Sequence, residues 1–347
     1  MSPYVLTMLL LTLILGTTTT LASSHWVMAW MGLEMTTLAV IPIMAYPFHP
    51  RSTEAATKYF LIQATAAAVL LFAATTDAWA SGQWDITQLT HPAAATMALM
   101  ALAMKMGLAP LHLWLPEVIQ GLTLPAALLL STWQKIAPLA LMLQVAPNTH
   151  PYALTTLGIL STLAGGWGGL NQTQLRKVMA YSSVAHLGWM IVVVQMAPQV
   201  TLIAFLTYVT MTTATFLTLW VTRSTTATTL ASAWTKAPML APLASLLLLS
   251  LGGLPPLTGF MPKWLILQEL SNQGLYLLAT TMAMTALLSL FFYLRLTYLI
   301  ALTLSPHPNN AIAPWRSKNQ RPDVLLSLST TLSLISLPLM PSVISLF

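Results

Sequence analysis

The chain is a succession of long apolar runs separated by short polar stops. Runs long enough to cross a bilayer, which takes about 20 residues each, fall near 3–21, 25–45, 55–75, 93–117, 124–146, 150–171, 176–196, 200–222, 238–267, 273–301 and 324–346. The stops carry Pro, Asn, His or Gly, as in Pro147-Asn148-Thr149-His150, and the one long polar segment is Ser305 to Asp323. This pattern predicts an all-α polytopic membrane protein, a single transmembrane domain of about 11 helices. The first run has no Lys or Arg ahead of its apolar stretch, so it reads as a retained helix and not a cleaved signal. An Arg-rich transit segment is also absent.

Composition sharpens the class. Of 347 residues, 56% are hydrophobic and 6% charged, where soluble domains carry about 25% charged residues. With no cysteine, the chain offers no disulfide, no thiolate zinc site and no iron–sulfur ligation. It has no glycine-rich dinucleotide fingerprint, P-loop or HExxH, and no two histidines at metal-ligand spacing. The net charge of +6 does not gather into a nucleic-acid patch. It sorts by topology instead. If the N-terminus lies on the positive side, the connectors after even-numbered runs hold Arg51, Lys58, Arg176, Lys177, Arg223, Lys236, Arg316, Lys318 and Arg321. The opposite connectors hold Asp77, Asp85 and Glu269. That segregation follows the positive-inside rule, and Trp79 and Trp84 beside the acidic connector suit an interfacial aromatic belt.

Subtracting the connectors leaves Glu34, Lys105, Lys135, Lys263 and Arg295 inside apolar runs, with Glu117 at the end of one. A charged side chain at the bilayer centre costs about 2.5–3.5 kcal/mol on insertion scales. These groups are therefore expected to face a polar interior. Arg295, about two turns from the end of its run, suits snorkelling or structural pairing. Glu34, Lys105 and Lys135 lie too deep for that. Desolvation works against the charged form of a buried Lys or Glu, so such groups can exchange protons near neutral pH. His112 and His186 fall within the predicted helices, where proton relay and a plain interhelical hydrogen bond stay open. His25, His49, His91, His150 and His307 lie at helix ends or in loops and read as solvated. The Trp and Met residues read as packing or lipid-facing, and Gly165 with Gly169 as a helix-packing pair.

The chain also contains an internal echo. Gly107-Leu108-Ala109-Pro110-Leu111 with Pro116-Glu117 lines up with Gly253-Leu254-Pro255-Pro256-Leu257 with Pro262-Lys263, each pair 146 positions apart. Gly and Pro together interrupt the i to i−4 ladder, which membrane depth tolerates only where the freed backbone is buried in protein or lines a wet cavity. The breaks fall in the fourth and ninth runs, an odd number apart, so the two helices run in opposite directions. That predicts two inverted five-helix repeats, about 3–146 and 150–301, with a C-terminal helix at about 324–346 as an addition. Lys105 lies just before the first break and Lys263 just after the second.

The strings Lys105-Met-Gly-Leu-Ala-Pro-Leu-His-Leu-Trp-Leu-Pro-Glu117, Gly168-Gly-Leu-Asn-Gln-Thr-Gln-Leu-Arg-Lys-Val-Met-Ala-Tyr-Ser-Ser-Val-Ala-His-Leu-Gly188 and Leu251-Gly-Gly-Leu-Pro-Pro-Leu-Thr-Gly-Phe-Met-Pro-Lys-Trp264 closely resemble the antiporter-like membrane subunits of respiratory complex I, NADH:ubiquinone oxidoreductase. His25-Trp26 leading to Gly32-Leu33-Glu34 fits as well, and the resemblance covers essentially the whole chain. It implies a proton-translocating enzyme subunit without redox chemistry of its own, driven by electron transfer elsewhere. NADH, FMN, iron–sulfur clusters and ubiquinone would belong to partner subunits. Glu34 would be the acidic member of the coupling pair, Lys105 its broken-helix partner, Lys135 the central relay lysine and Lys263 the lysine near the outlet. His112 and His186 would be candidate members of the polar axis. Larger relatives carry fourteen helices, and this chain would lack the first three. The resemblance also implies the mitochondrial inner membrane, with the N-terminus and basic loops on the matrix side, neighbouring membrane-arm subunits and lipids as partners, and no nucleic acid. Two other readings compete: an Mrp-type cation/proton antiporter subunit, and a structural spacer whose buried charges only fix packing.

Overall fold

A computed structural model describes residues 2–237, 239–302, 324–339 and 342. Within them the chain is helical, with isolated bridges (His25 with Asp85, Gln174 with Thr226) in place of strands. The polar segment Ser305–Asp323, with Arg316, Lys318 and Arg321, and the end of the last expected helix lie outside the described residues.

In chain order the α-helices are α1 (Pro3–Ala22), α2 (Trp26–Ala45), α3 (Pro50–Ser81), α4 (Pro92–Met106), α5 (Trp114–Gly121), α6 (Leu124–Ser131), α7 (Ile136–Val145), α8 (Pro151–Gly169), α9 (Leu175–Val193), α10 (Pro198–Thr222), α11 (Ala227–Ala231), α12 (Ala233–Lys236), α13 (Leu240–Gly252), α14 (Phe260–Asn272), α15 (Tyr276–Leu302) and α16 (Val324–Ile335). Six segments among the described residues are long and apolar enough to cross a membrane: α1, α2, α3, Leu124–Asn148, α10 and most of α15. Shorter apolar helices are α4, α13 and α16. Apolar side chains point outward, as with Tyr4 (83% exposed) and Leu277 (82%), the arrangement expected where lipid is the solvent. Many serines and threonines are buried, among them Thr20, Thr207 and Thr215. Their hydroxyls are satisfied by carbonyls one turn back in the same helix, as in Thr20 to Thr17 (2.7 Å), Thr207 to Ala204 (2.9 Å) and Thr215 to Thr212 (3.0 Å), so they sit in an apolar interior without an unmet donor.

Two units can be distinguished, residues 1–161 with 194–198 and residues 162–193 with 199–347; the division passes within α8. In the first unit α1 and α2 cross glycine on glycine. A Cβ on Gly16 would lie 2.8 Å from the Gly32 carbonyl oxygen, and one on Gly32 equally close to that of Gly16. This small-residue contact lets two backbones touch. Small residues also line the α3–α4 contact, where Ala66, Ala73, Ala95 and Ala98 are buried. Trp30 on α2 donates to the Ala67 carbonyl of α3 at 3.1 Å.

Helix α3 is longer than its apolar run. Arg51, Lys58 and Asp77, expected in connectors, are helical, as are Arg176 and Lys177 in the first turn of α9 and Glu269 in α14. The polar ends of these helices cost nothing where they leave the hydrocarbon, so hydropathy alone does not mark them. Asp77 is also 1% exposed. One of its carboxylate oxygens accepts the Thr90 (3.2 Å) and His91 (3.1 Å) backbone N–H groups, holding the start of α4. Donors without an intrahelical partner are the rule at a helix N-terminus, and a carboxylate is favoured there.

In the second unit, α9 packs against the end of α8 at Gly165, where a Cβ would meet the Ala185 backbone nitrogen at 2.6 Å. The Gly165/Gly169 pair is thus a packing device. The exposed Arg295 on α15 donates to the Asn171 side-chain oxygen, the pairing alternative of the sequence reading.

Candidate functional site

Helix α4 stops at Met106 because Gly107 turns into the left-handed region (φ 79°, ψ 42°) that a glycine adopts without strain. Four C-terminal carbonyls then lack intrahelical donors. Ala103 receives the Gly107 (3.0 Å) and Leu108 (2.9 Å) N–H groups, and Met104 the Trp114 indole N–H (3.2 Å). The Lys105 carbonyl receives the Gln63 amide N–H from α3 at 3.4 Å. Neutral donors from two other helices therefore close the broken end.

The Lys105 side chain, 5% exposed, projects from that last turn, and its Nζ makes no hydrogen bond to protein. Glu34 on α2 acts on it electrostatically, and the Glu34 Oε2 is likewise buried without a hydrogen bond. Glu34 also acts on the buried Tyr59 of α3. Lys135 is 2% exposed. Lys105, Lys135, Tyr59, Gln63 and Gln134 line one small cavity of about 10 Å³, room for about one water centre.

Lys135 closes a single turn of 3₁₀-helix, Trp133–Lys135, between α6 and α7. The apolar run 124–146 predicts an unbroken helix, and Pro138 supplies the reason it is not one. A proline ring clashes with the carbonyl four residues earlier, here Gln134, and lacks the N–H to bond it. The Gln134 side-chain amide donates to the Thr36 carbonyl of α2 at 3.1 Å. Lys135 thus sits at a second discontinuity, which Pro138 signals in the sequence.

In the second unit α13 ends at Gly253 (φ 81°, ψ 45°) and α14 begins at Phe260. Here a cation closes the end: Lys263 Nζ donates to the Gly252 carbonyl at 2.7 Å. His186 lies inside α9, 8% exposed, its ring 5.8 Å from that of the buried Tyr208, whose hydroxyl pairs with Ser183.

His112 departs from expectation. It lies in the non-helical segment between α4 and α5, half-buried, and interacts with the Pro110 backbone. Proline and glycine remove the turn that would have held it. Glu117 is exposed and pairs with Lys58 at 3.0 Å, Lys58 also meeting Glu54 at 2.9 Å. Tyr59, Gln63, Trp114 and Gln134 were not singled out by the sequence, since neutral polar residues in an apolar run raise no charge alarm.

Broken apolar helices carrying lysines in an apolar interior define a polytopic membrane protein of the ion-translocating class. The chain matches the transmembrane model of the NADH:quinone oxidoreductase/Mrp antiporter family over residues 23–289, and that of the NADH dehydrogenase subunit 2 C-terminus over 290–344. It is 60% identical over 347 residues to NADH-ubiquinone oxidoreductase chain 2 of Formosania lacustris, covering 100% of both chains. It is 62% identical to the chain of that name from Salmo salar, covering 100% of this chain and 99% of the other. A chain of respiratory complex I from Thermus thermophilus, solved with bound aureothin, superposes with a TM-score of 0.84 at 29% identity, over 99% of this chain and 79% of the other. An Mrp complex from Dietzia shares the fold (TM-score 0.74, 17% identity, 86% of this chain and 61% of the other). The chain belongs to the NADH-ubiquinone oxidoreductase chain 2 family.

Proposed function

We propose that the chain translocates protons across the mitochondrial inner membrane as a membrane-arm subunit of NADH:ubiquinone oxidoreductase, with NADH, FMN, iron–sulfur clusters and ubiquinone held by partner subunits. Lys105, Lys135 and Glu34 carry the central transfer, with Lys263, His112 and His186 as further members. The observation behind this reading is the gathering of Lys105 and Lys135 on one water-sized cavity with Glu34 in electrostatic range. Charges placed there would cost about 2.5–3.5 kcal/mol each if they did nothing, which argues against a spacer. Full-length relatives at about 60% identity carry the complex I name, whereas the Mrp complex is matched at 17% identity and over 86% of this chain.

Eleven spans in two inverted repeats plus a C-terminal helix belong to the same proposal, with the N-terminus and basic loops facing the matrix. The matching caps at Gly107 and Gly253 support it. So do the helix restarts at Trp114 and Phe260, each seven residues past its cap glycine. Neighbouring antiporter-like subunits and lipids are the partners. The test is Lys105→Met in the purified complex, reconstituted in vesicles with a pH-sensitive dye. Assembly should be normal and proton translocation per NADH reduced; wild-type translocation would remove Lys105 from the relay.

A further inference from the structure

The two helix breaks solve one problem with different chemistry. Each exposes carbonyls at a C-terminus that carries about half a negative charge, and a lysine in or near the last turn is a natural donor to them. At the second break that is what happens, with Lys263 on the Gly252 carbonyl. At the first break Lys105 is in the last turn and makes no such bond. Neutral donors serve the carbonyls of that turn instead: Trp114 on the Met104 carbonyl, which also takes the Gly107 N–H at 3.2 Å, and Gln63 on the Lys105 carbonyl. The sequence at the 146-residue offset matches this exchange: Trp114 corresponds to Phe260, which has no N–H to give, and Glu117 to Lys263.

We propose that Trp114 and Gln63 are positioning residues for Lys105: by occupying the broken end of α4 with neutral donors, they keep its ammonium off its own helix and free to exchange protons. This rests on the relay role of Lys105 proposed above. Remove the donors, and the Lys105 carbonyl loses its Gln63 partner while the Met104 carbonyl keeps only the Gly107 N–H; an ammonium beside them in a dry interior will bond to them, because a hydrogen bond to a charged group is stronger than one between neutral groups. The lysine would then resemble Lys263, a cap held in place.

The experiment compares Trp114→Phe, Gln63→Met and the double variant in the assembled complex. Trp114→Phe keeps a ring against Tyr59, which the indole now meets at 5.8 Å, and removes only the donor and some bulk. The rate of NADH-driven proton translocation should fall roughly tenfold in the double variant, the equivalent of about 1.4 kcal/mol on the barrier. A cryo-EM map should show Lys105 Nζ within hydrogen-bond distance of the Met104 or Lys105 carbonyl. Should the double variant fail to assemble on native gels, Trp114→Phe alone carries the test with the same map. In a Lys105→Met background the Trp114→Phe change should cost nothing further, a coupling that a merely structural role would not show. A lysine that stays where it is in the variants, or additive losses, would overturn the inference. If Lys105→Met alone translocates normally, it is the relay reading that fails.

Discussion

Lys135→Met separates a working charge from a structural one. The ammonium is 2% exposed, beside a cavity with room for about one water. Taking a lysine out of mid-membrane relieves about 2.5–3.5 kcal/mol on insertion scales. The thioether keeps nearly the same length, and swaps of similar volume usually cost under about 1.5 kcal/mol. The variant also gives up what the ammonium contacts in the protein, so the net expectation is a stability within about 1.5 kcal/mol of wild type. Activity should fall steeply, because losing a positioned acid–base group typically slows its step by about 100-fold or more. The assay measures ubiquinone reduction and dye-reported proton uptake on one vesicle preparation, with the thermal midpoint taken on the same sample. A complex of near wild-type stability that no longer couples fits the reasoning. A variant that couples normally, or one that loses several times that stability, would refute it, the second by showing that the ammonium chiefly ties the helices together.

Two further predictions concern the scaffold of the first break. Gly107→Ala forces an L side chain into φ 79° and brings its Cβ to 3.0 Å from Leu115; a loss of ~1–2 kcal/mol is expected, read as a lower thermal midpoint and less assembled complex. Asp77→Ala leaves the Thr90 and His91 N–H groups without their buried acceptor and should cost about 1–3 kcal/mol. Asp77→Asn should recover part of that in the same melt, because its amide oxygen can still accept.

The large features of this molecule were legible because they are expensive. A lysine in an apolar run, or a Gly–Pro pair inside one, stands out against a background of Leu, Ala and Thr, and the structure puts Lys105 and Lys135 on one cavity and breaks the chain at Gly107 and Gly253. What escaped was cheap or depended on the third dimension. Gln63 and Trp114 carry no net charge, and their task exists only because α3 and α5 pass the end of α4. The 3₁₀ turn before Lys135 was written in Pro138, a weaker sign than Gly and Pro together. Asp77 looked like a loop acid because hydropathy ended α3 too early, and His112 looked helical because the break is longer than one proline would make it.

The glycine-on-glycine crossing of α1 and α2 has a mechanical corollary. With the two backbones in touch at Gly16 and Gly32, neither helix can slide or roll far without the other, and Glu34 is two residues beyond that pivot. Any rigid-body movement of α2 that carries the carboxylate toward or away from Lys105 drags α1 with it. A helix that carries no charge of its own is thereby geared to the buried carboxylate beside Lys105.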